Sequence, residues 1–556
     1  MSFTDSLLDN SFSLQANVIP KPNTLVQKAG FFRLTPETKI AATEAAHGEA
    51  RLLADRIAQA TGFSCPITEL RDLTAGRIEI VLNASLIGLG SEGYRLQVTP
   101  HVVTIAAPCR AGLFYGVQTL LQLLPSEIFR ASIDATQNGK MRDWVVPCVD
   151  IEDAPRFDWR GVMLDVARHF LPIEFLYKLL DTIALHKMNV LQLHLTDDQG
   201  WRIEIKKYPK LTQIGGYRSE TLVGYAQYSP THANFDPSQE KFDHTPHGGW
   251  YTQSEMRDLV DYARQRHITI VPEIEMPGHA QAAVAAYPEL GCTEKQIEVS
   301  PRWGIHDVLF RPFEPAFSFL QDVLTEIADI FPSPYIHVGG DEALKTQWRS
   351  SPECQQLKHT LGLPDENALQ SYFIGRVNDF LIGLGRVLVG WDEILEGGLS
   401  AGAVVMSWRG EQGGVTAAEQ GHDVIMAPYQ FTYFDYYQSE EYDAEPPAFP
   451  ETLTLPTVYH YEPVPATLLP EHEHHVLGAQ CQLWSEYMPD AQQVEYMAFP
   501  RLAAFSELTW TRLENKNFDS FCVRLHHHLT RLDALNVNYR PLNSQTMNSQ
   551  AIAPAA

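Results

Sequence analysis

Cysteine is scarce in this chain of 556 residues: there are seven, and no two stand at CxxC spacing. A disulfide framework or a zinc ribbon needs more of them at regular intervals. Cys65, Cys109, Cys148, Cys292, Cys354, Cys481 and Cys522 therefore read as scattered buried thiols. Positive charge is also short, 42 Lys and Arg against 68 Asp and Glu, a net of −26. Such a chain repels polyanions, so neither nucleic acid nor an anionic membrane surface is an expected partner. No stretch of 18 apolar residues occurs, so no hydrophobic helical span is expected. The N-terminus has acids at Asp5 and Asp9, no base before Lys21 and no apolar stretch. No secretory leader is expected from it, and the expected location is cytoplasmic. Phosphate-cradling loops and nucleotide fingerprints are missing as well, so no cofactor is expected.

What is present is ordinary globular material, 44% apolar and 20% charged. Residues 1–25 read as a polar, proline-punctuated arm. Residues 26–150 alternate strand and helix patterns: a helix over Ala46–Gly62, strands at Arg77–Asn83, Tyr94–Val98 and Val102–Ala106, and an apolar helix over Ala111–Leu124. That alternation predicts a small two-layer α/β domain, with Asp143–Pro155 as the linker. Residues 151–540 repeat short β-branched runs followed by helical stretches. The runs are Gly161–Leu164, Val190–Leu195, Ile268–Ile274, Tyr335–Val338, Val387–Gly390, Ala403–Met406, Asp423–Ala427 and Val476–Ala479. Eight β/α units predict a TIM (β/α)8 barrel closed by C-terminal helices at Leu502–Trp510 and Phe518–Leu535. Residues 541–556 read as a flexible tail.

In such a barrel the chemistry sits just past the C-terminal strand ends. There the sequence places Asp165 to His169, Thr196 to Trp201, Glu273 to His279, Gly339 to Glu342, Trp391–Asp392–Glu393, Ser407–Trp408–Arg409, Tyr433–Phe434–Asp435 and Trp484–Ser485–Glu486. Carboxylates, indoles and an arginine converge. A sugar ring requires this mixture, because its C–H faces stack on aromatic planes while its hydroxyls need paired donors and acceptors.

The sharpest element is Gly339–Gly340–Asp341–Glu342. Two glycines permit a tight turn, and two adjacent carboxylates follow. A conventional glycosidase flanks the scissile bond with two carboxyl groups, about 5–5.5 Å apart for retention and 6.5–9.5 Å for inversion. Neighbours in sequence do not easily straddle a sugar. They can instead serve two points on one side, Glu342 to protonate the glycosidic oxygen and Asp341 to steady a positive group nearby. A 2-acetamido sugar supplies that group together with its own nucleophile, the acetamido oxygen. A well-oriented internal nucleophile reaches effective molarities of about 10⁵–10⁸ M.

Several segments together resemble the β-N-acetylhexosaminidases of glycoside hydrolase family 20. They are Arg160–Gly161, Leu164–Asp165 with Arg168–His169–Phe170, His194 through Arg202, Pro272–Glu273 with Pro277–Gly278–His279, and His337 through Glu342. The resemblance covers about residues 20–540, including the small domain. This family is a recognised exception to the two-carboxylate scheme, its substrate assisting its own hydrolysis. The resemblance implies an exo-acting hydrolase that removes terminal β-linked N-acetylglucosamine or N-acetylgalactosamine from oligosaccharides or glycoconjugates, with retention. It implies Glu342 as general acid and later base, and Asp341 as the residue that orients and stabilises the acetamido N–H. Tyr433 would donate to the acetamido oxygen, and Asp197 with His279 would set the protonation of Glu342. Trp391, Trp408 and Trp484 would wall the pocket, while Arg168, Asp435 and Glu486 would grip the ring hydroxyls.

Rival readings differ in what they need. A disaccharide-releasing relative needs a more open pocket than Arg168, Asp435 and Glu486 leave. A non-catalytic sugar-binding protein would have no use for both Asp341 and Glu342. A metal site built on Asp197, Asp198, His194 and His279 has suitable donors but no HExxH or tight spacing. The histidine-rich Glu471–His475 reads as a solvated surface loop, and one of Glu273 and Glu275 as a carboxylate that satisfies buried backbone or an arginine rather than doing chemistry. Phe431–Tyr437 is either a stacking platform for further sugars or packing.

Overall fold

The structure, a computed structural model, describes residues 15–70, 75–130, 136–137, 140–141, 143–226, 236–293 and 295–543. The first fourteen residues of the expected arm and the tail from 544 lie outside the described residues. The chain forms two units, one of Met1–Arg156 with Trp510–Val537 and one of Phe157–Thr509 with Asn538–Ala556.

The first unit is built on a seven-stranded sheet. Its spatial order is Thr24–Arg33, Val145–Asp153, Tyr94–Val98, Val102–Ala107, Arg77–Leu82, Lys39–Ala42 and Ile67–Thr68. Helices His47–Thr61 and Arg110–Leu123 pack on it, and Ile78, Ile80, Leu96, Val103 and Ile105 fill the layer. The first helix ends where expected, on Gly62 in the left-handed region. Alternate residues form a polar face, where Arg95 pairs with Glu152 directly opposite and Gln97 donates to Asp150.

Three expectations are corrected here. Val145–Asp153, read as linker, is a nine-residue strand paired on both sides. Pro147 hid it; it stands opposite Phe31, beside a register shift where Gly30 has φ +97°. Proline is tolerated in a sheet at such a bulge. The described part of the arm is not loose: Val18 and Ile19 are buried, and the Gln122 amide brackets the Ile19 backbone at 2.9 and 2.6 Å. Helix Phe518–Ala534, assigned to the barrel, belongs to this first unit. Arg524 donates to Val18 O at 2.9 Å and Arg531 to Gln122 O at 2.7 Å, while Phe521 and Leu525 are buried.

Asp153 ties the unit together. Its Oδ2 accepts from Tyr94 OH at 2.8 Å and Trp510 Nε1 at 2.9 Å, and its Oδ1 accepts from Asn23 N at 3.0 Å. Each buried donor stripped of its acceptor costs about 1–3 kcal/mol. Asp153→Ala is therefore expected to lose at least about 3 kcal/mol, read as a lower urea midpoint; an unchanged midpoint would contradict this account.

The second unit is the barrel. Its strands are β1 (Trp159–Asp165), β2 (Val190–His194), β3 (Thr269–Glu273), β4 (Tyr335–His337), β5 (Val387–Trp391), β6 (Val404–Ser407), β7 (Val424–Met426) and β8 (Val476–Leu483). All are parallel, and β8 pairs back onto β1. All eight expected runs are barrel strands. Between them run Ile173–Leu185, Gln253–Arg264, Ala316–Ile330 and Glu366–Gly383, the helices expected from periodicity. Thr252 and Glu255 start the second of these with a reciprocal capping box.

The barrel core is apolar at Trp159, Val190, Val271, Val389, Val404, Met406 and Ile425. A polar chain threads it. Trp159 Nε1 donates to Gln480 Oε1 at 3.1 Å, Gln480 Nε2 to Gln192 Oε1 at 2.8 Å, and Gln192 Nε2 to Glu273 Oε2 at 2.7 Å. Among the described residues no helix is long and apolar enough to cross a membrane.

Candidate active site

The turn after β4 requires its glycines. Gly339 and Gly340 have φ +67° and +97°. A Cβ on Gly339 would lie 1.6 Å from Glu275 Oε2, and one on Gly340 2.7 Å from Ile394 Cγ2. Trp391 N donates to Gly339 O at 2.9 Å and Gln370 Nε2 to Gly340 O at 2.6 Å, which fixes the turn against β5 and the helix before it. Asp341 and Glu342 follow directly. Glu342 itself takes φ +46°, a conformation that disfavours a side chain.

His279, after β3, faces both acids. Its Nε2 is 3.5 Å from Glu342 Oε2 and 3.6 Å from Asp341 Oδ2. Its Nδ1 is 3.2 Å from Asp197 Oδ1 and 3.3 Å from Asp198 Oδ2. Burial alone would discharge this imidazole. The Asp197 charge and the bonds to Asp197, Asp198 and Glu342 outweigh burial and hold it well above the usual histidine range. Burial pushes Asp341 up to about 6 against the pull of His279, and the charges of Glu342 and Glu273 act in the same direction as burial.

Asp197 also accepts from Arg168 Nη2 at 2.9 Å. Arg168 is locked by Gln199 at 3.0 Å and by Asp165 at 3.2 Å, and its guanidinium lies over the Trp484 ring at 4.9 Å. Glu486 approaches it at 3.6 Å. Asp435 lies beside Glu486; burial and that neighbouring charge hold Asp435 well above the usual carboxylate range.

The aromatic groups form a connected wall. Trp391 and Trp484 have ring centroids 5.8 Å apart, Tyr433 and Trp484 6.3 Å, and Tyr433 stacks on Trp408 at 6.1 Å and 19°. Burial and the Asp435 charge hold the Tyr433 phenol well above its usual range, so its O–H stays available to donate.

All eleven residues singled out from the sequence thus meet at one end of the barrel: Glu342, Asp341, Tyr433, Asp197, His279, Arg168, Trp391, Trp408, Asp435, Trp484 and Glu486. Asp341 Oδ1 and Asp435 Oδ1 are buried there with no hydrogen-bond partner among the described residues. Buried polar atoms are nearly always bonded, so these two are positioned for the amide and a hydroxyl of a polar ligand. The rest of the aromatic run divides: Phe434 is fully buried against Phe505, Phe431 stacks on Tyr461, and Tyr436 stacks on Phe449, which is partly exposed.

Sequence reasoning gave no role to Glu393, two residues past Trp391. Its Oε2 accepts from Trp408 Nε1 at 2.9 Å, and burial with the nearby Asp341 charge pushes it up to about 8. Its neighbour Asp392 accepts from Trp408 N at 3.1 Å and Arg409 N at 3.2 Å, clamping the end of β5 to that of β6. Of the two β3 acids, Glu273 is the bonded one and Glu275 the unexpected one. Both oxygens of Glu275 are buried with no hydrogen-bond partner among the described residues, and burial with the Asp341 and Glu273 charges holds it well above the usual carboxylate range.

Asp197, Asp198 and His279 lie close enough to hold a cation, as do His194, Glu273 and Glu275. The histidine chemistry opposes this use. His194 sits between Asp197 at 2.9 Å and Glu273 at 2.7 Å. Burial disfavours its charge, yet those carboxylates push it up to about 10. A metal would have to displace a proton from this imidazole before the ring could coordinate it.

Comparison with known proteins agrees with this geometry. The family described as "Glycosyl hydrolase family 20, catalytic domain" matches residues 157–513, and "Glycosyl hydrolase family 20, domain 2" matches residues 15–154. A β-hexosaminidase of Porphyromonas gingivalis is 42% identical over 533 residues, 95% of this chain; the chain spans 65% of that relative's length. The GH20 β-N-acetylhexosaminidase of Streptomyces coelicolor superposes with a TM-score of 0.80 at 31% identity, covering 95% of this chain and 98% of that one. The GH20 exo-β-N-acetylglucosaminidase of Vibrio harveyi, in complex with N-acetylglucosamine, superposes with a TM-score of 0.80 at 34% identity, covering 95% and 79%.

Proposed function

The chain belongs to glycosyl hydrolase family 20, and from that premise we propose that it removes terminal, non-reducing β-linked N-acetylhexosamine with retention, the substrate supplying the nucleophile. Glu342 gives its proton to the glycosidic oxygen as the C1–O bond breaks. The acetamido oxygen closes on C1 to form an oxazolinium ion. The charge that develops at the acetamido nitrogen is held by Asp341, and the Tyr433 hydroxyl donates to the oxygen. Water then attacks C1 from the face the leaving group left, giving its proton to Glu342. Two inversions restore the starting configuration. His279, braced by Asp197, stabilises Glu342 while it is a carboxylate.

The observation that carries this reading is the placement of both acids on one left-handed turn, facing one imidazole nitrogen at 3.5 and 3.6 Å. Arg168, Asp435 and Glu486 support exo action, because together they offer polar partners to a single terminal ring. The complex of the Vibrio harveyi relative with N-acetylglucosamine supports that sugar as a ligand here.

The test is the initial rate on matched aryl β-glycosides, the N-acetylglucosaminide and the plain glucoside. Turnover of the acetamido sugar alone is expected. Equal turnover of both would remove the need for acetamido participation, overturn the role of Asp341, and direct attention to an enzyme nucleophile.

A further inference from the structure

Glu273, at the C-terminal end of β3, is fully buried and has polar neighbours at both carboxylate oxygens. Its Oε1 lies 3.0 Å from Trp391 Nε1 and 2.8 Å from His337 Nδ1. Its Oε2 lies 2.7 Å from His194 Nδ1 and 2.7 Å from Gln192 Nε2. Burial would protonate it, and the two facing imidazoles reverse that, so it is held well below the usual carboxylate range. A carboxylate has about four lone-pair sites; three here are met by Trp391, His194 and Gln192, and the fourth faces His337 Nδ1, which itself accepts from Gly339 N at 3.1 Å.

We propose that Glu273 is a positioning residue with two branches, one fixing the indole wall around the acetamido group and the other fixing the protonation relay of Glu342. The proposal rests on the reading of Trp391 and Glu342 given above. The first branch is direct. Glu273 holds the Trp391 indole N–H, and His337, on the same oxygen, meets the Trp391 ring edge-on at 4.9 Å. The second branch runs outward. Glu273 orients His194, whose Nε2 lies 2.9 Å from Asp197 Oδ2; Asp197 Oδ1 then faces His279, which faces Glu342 at 3.5 Å. The His194 ring also packs edge-on against Trp484 at 4.9 Å.

The charged groups around this relay are few and named. His194 faces Glu273 and Asp197, with Glu275 at 3.8 Å and Asp165 nearby. Asp197 faces Arg168, His194 and His279. His279 faces Asp197, Asp198, Asp341 and Glu342. One buried carboxylate therefore joins the pocket wall to the acid.

Glutamine cannot replace it. An amide has one acceptor oxygen and one donor nitrogen, so whichever way it turns it presents N–H groups to the donors of one branch. The experiment is the pH profile of kcat and the KM on an aryl N-acetylglucosaminide for wild type, Glu273→Gln, His194→Gln and Trp391→Phe. Phenylalanine keeps an aromatic face on the pocket wall and deletes the indole N–H, together with the second ring.

His194→Gln is expected to displace the limb of the kcat profile that reports the acid, with KM within about twofold of wild type. Trp391→Phe is expected to raise KM about tenfold with the profile unmoved. Glu273→Gln is expected to do both and to lower kcat about 10²-fold, as misplacement by an ångström does. The inference falls if Glu273→Gln leaves profile and KM unchanged. If that variant does not fold, the other two decide: the split between kcat profile and KM supports the inference, and the same change in both overturns it. An active wild type with unsplit variants sinks this inference alone, whereas a wild type inactive on the N-acetylglucosaminide sinks the hydrolase reading with it.

Discussion

Glu342→Gln is expected to lose about 10²–10⁴-fold in turnover on a glycoside with a poor leaving group, the range of general acid catalysis. The amide keeps the size and the hydrogen-bonding reach of the acid but has no proton to give. On a leaving group that departs as a stable anion the loss is expected to be much smaller, since protonation is then not needed to break the bond. The contrast between the two substrates separates loss of the acid from general damage to the pocket. Turnover within about threefold of wild type on the poor leaving group would remove Glu342 from the acid role.

Asp341→Asn is expected to cost about 10²–10³-fold in kcat, the usual effect of deleting one preorganised group that meets charge developing in the transition state. Its effect on stability runs the other way. Asp341 is pushed up from 3.8 to about 6 in the folded protein, mainly by burial. The native state therefore binds this proton more tightly than the unfolded chain does. Its favourable contribution is fully present below the unfolded value and is lost as pH rises through about 6. Asparagine cannot ionise and escapes that loss. The variant is expected to melt no lower than wild type at pH 7, with the gap closing below pH 4. A melting temperature that collapses at both pH values would make Asp341 a structural carboxylate instead.

Much of this site is legible in the sequence because a barrel converts position along the chain into position in space. A polar residue just past an apolar strand arrives at the same rim as its seven counterparts, and so Arg168, Asp197, Asp341, Glu342, Trp391, Tyr433 and Glu486 were readable without a structure. What stayed hidden depends on partners from other strands. Glu273 is a strand residue whose three hydrogen bonds come from β2 and β5, with a β4 imidazole facing it. Glu393 acquires meaning only through Trp408 on the next strand end. Val145–Asp153 escaped because Pro147 and the acids that follow it break alternation. Periodicity gave helix Phe518–Ala534 its apolar face but carried no information about which unit that face meets.

The turn that presents the acid pair has a consequence for how this protein can change. Glu342 occupies φ +46°, where a non-glycine residue is held at a cost of about 1–2 kcal/mol. Glycine at this position would relax the backbone, so thermostability and chemistry pull the same residue in opposite directions. A population selected only for resistance to heat would drift toward sturdier but inert molecules here, and only pressure for activity keeps the glutamate in place.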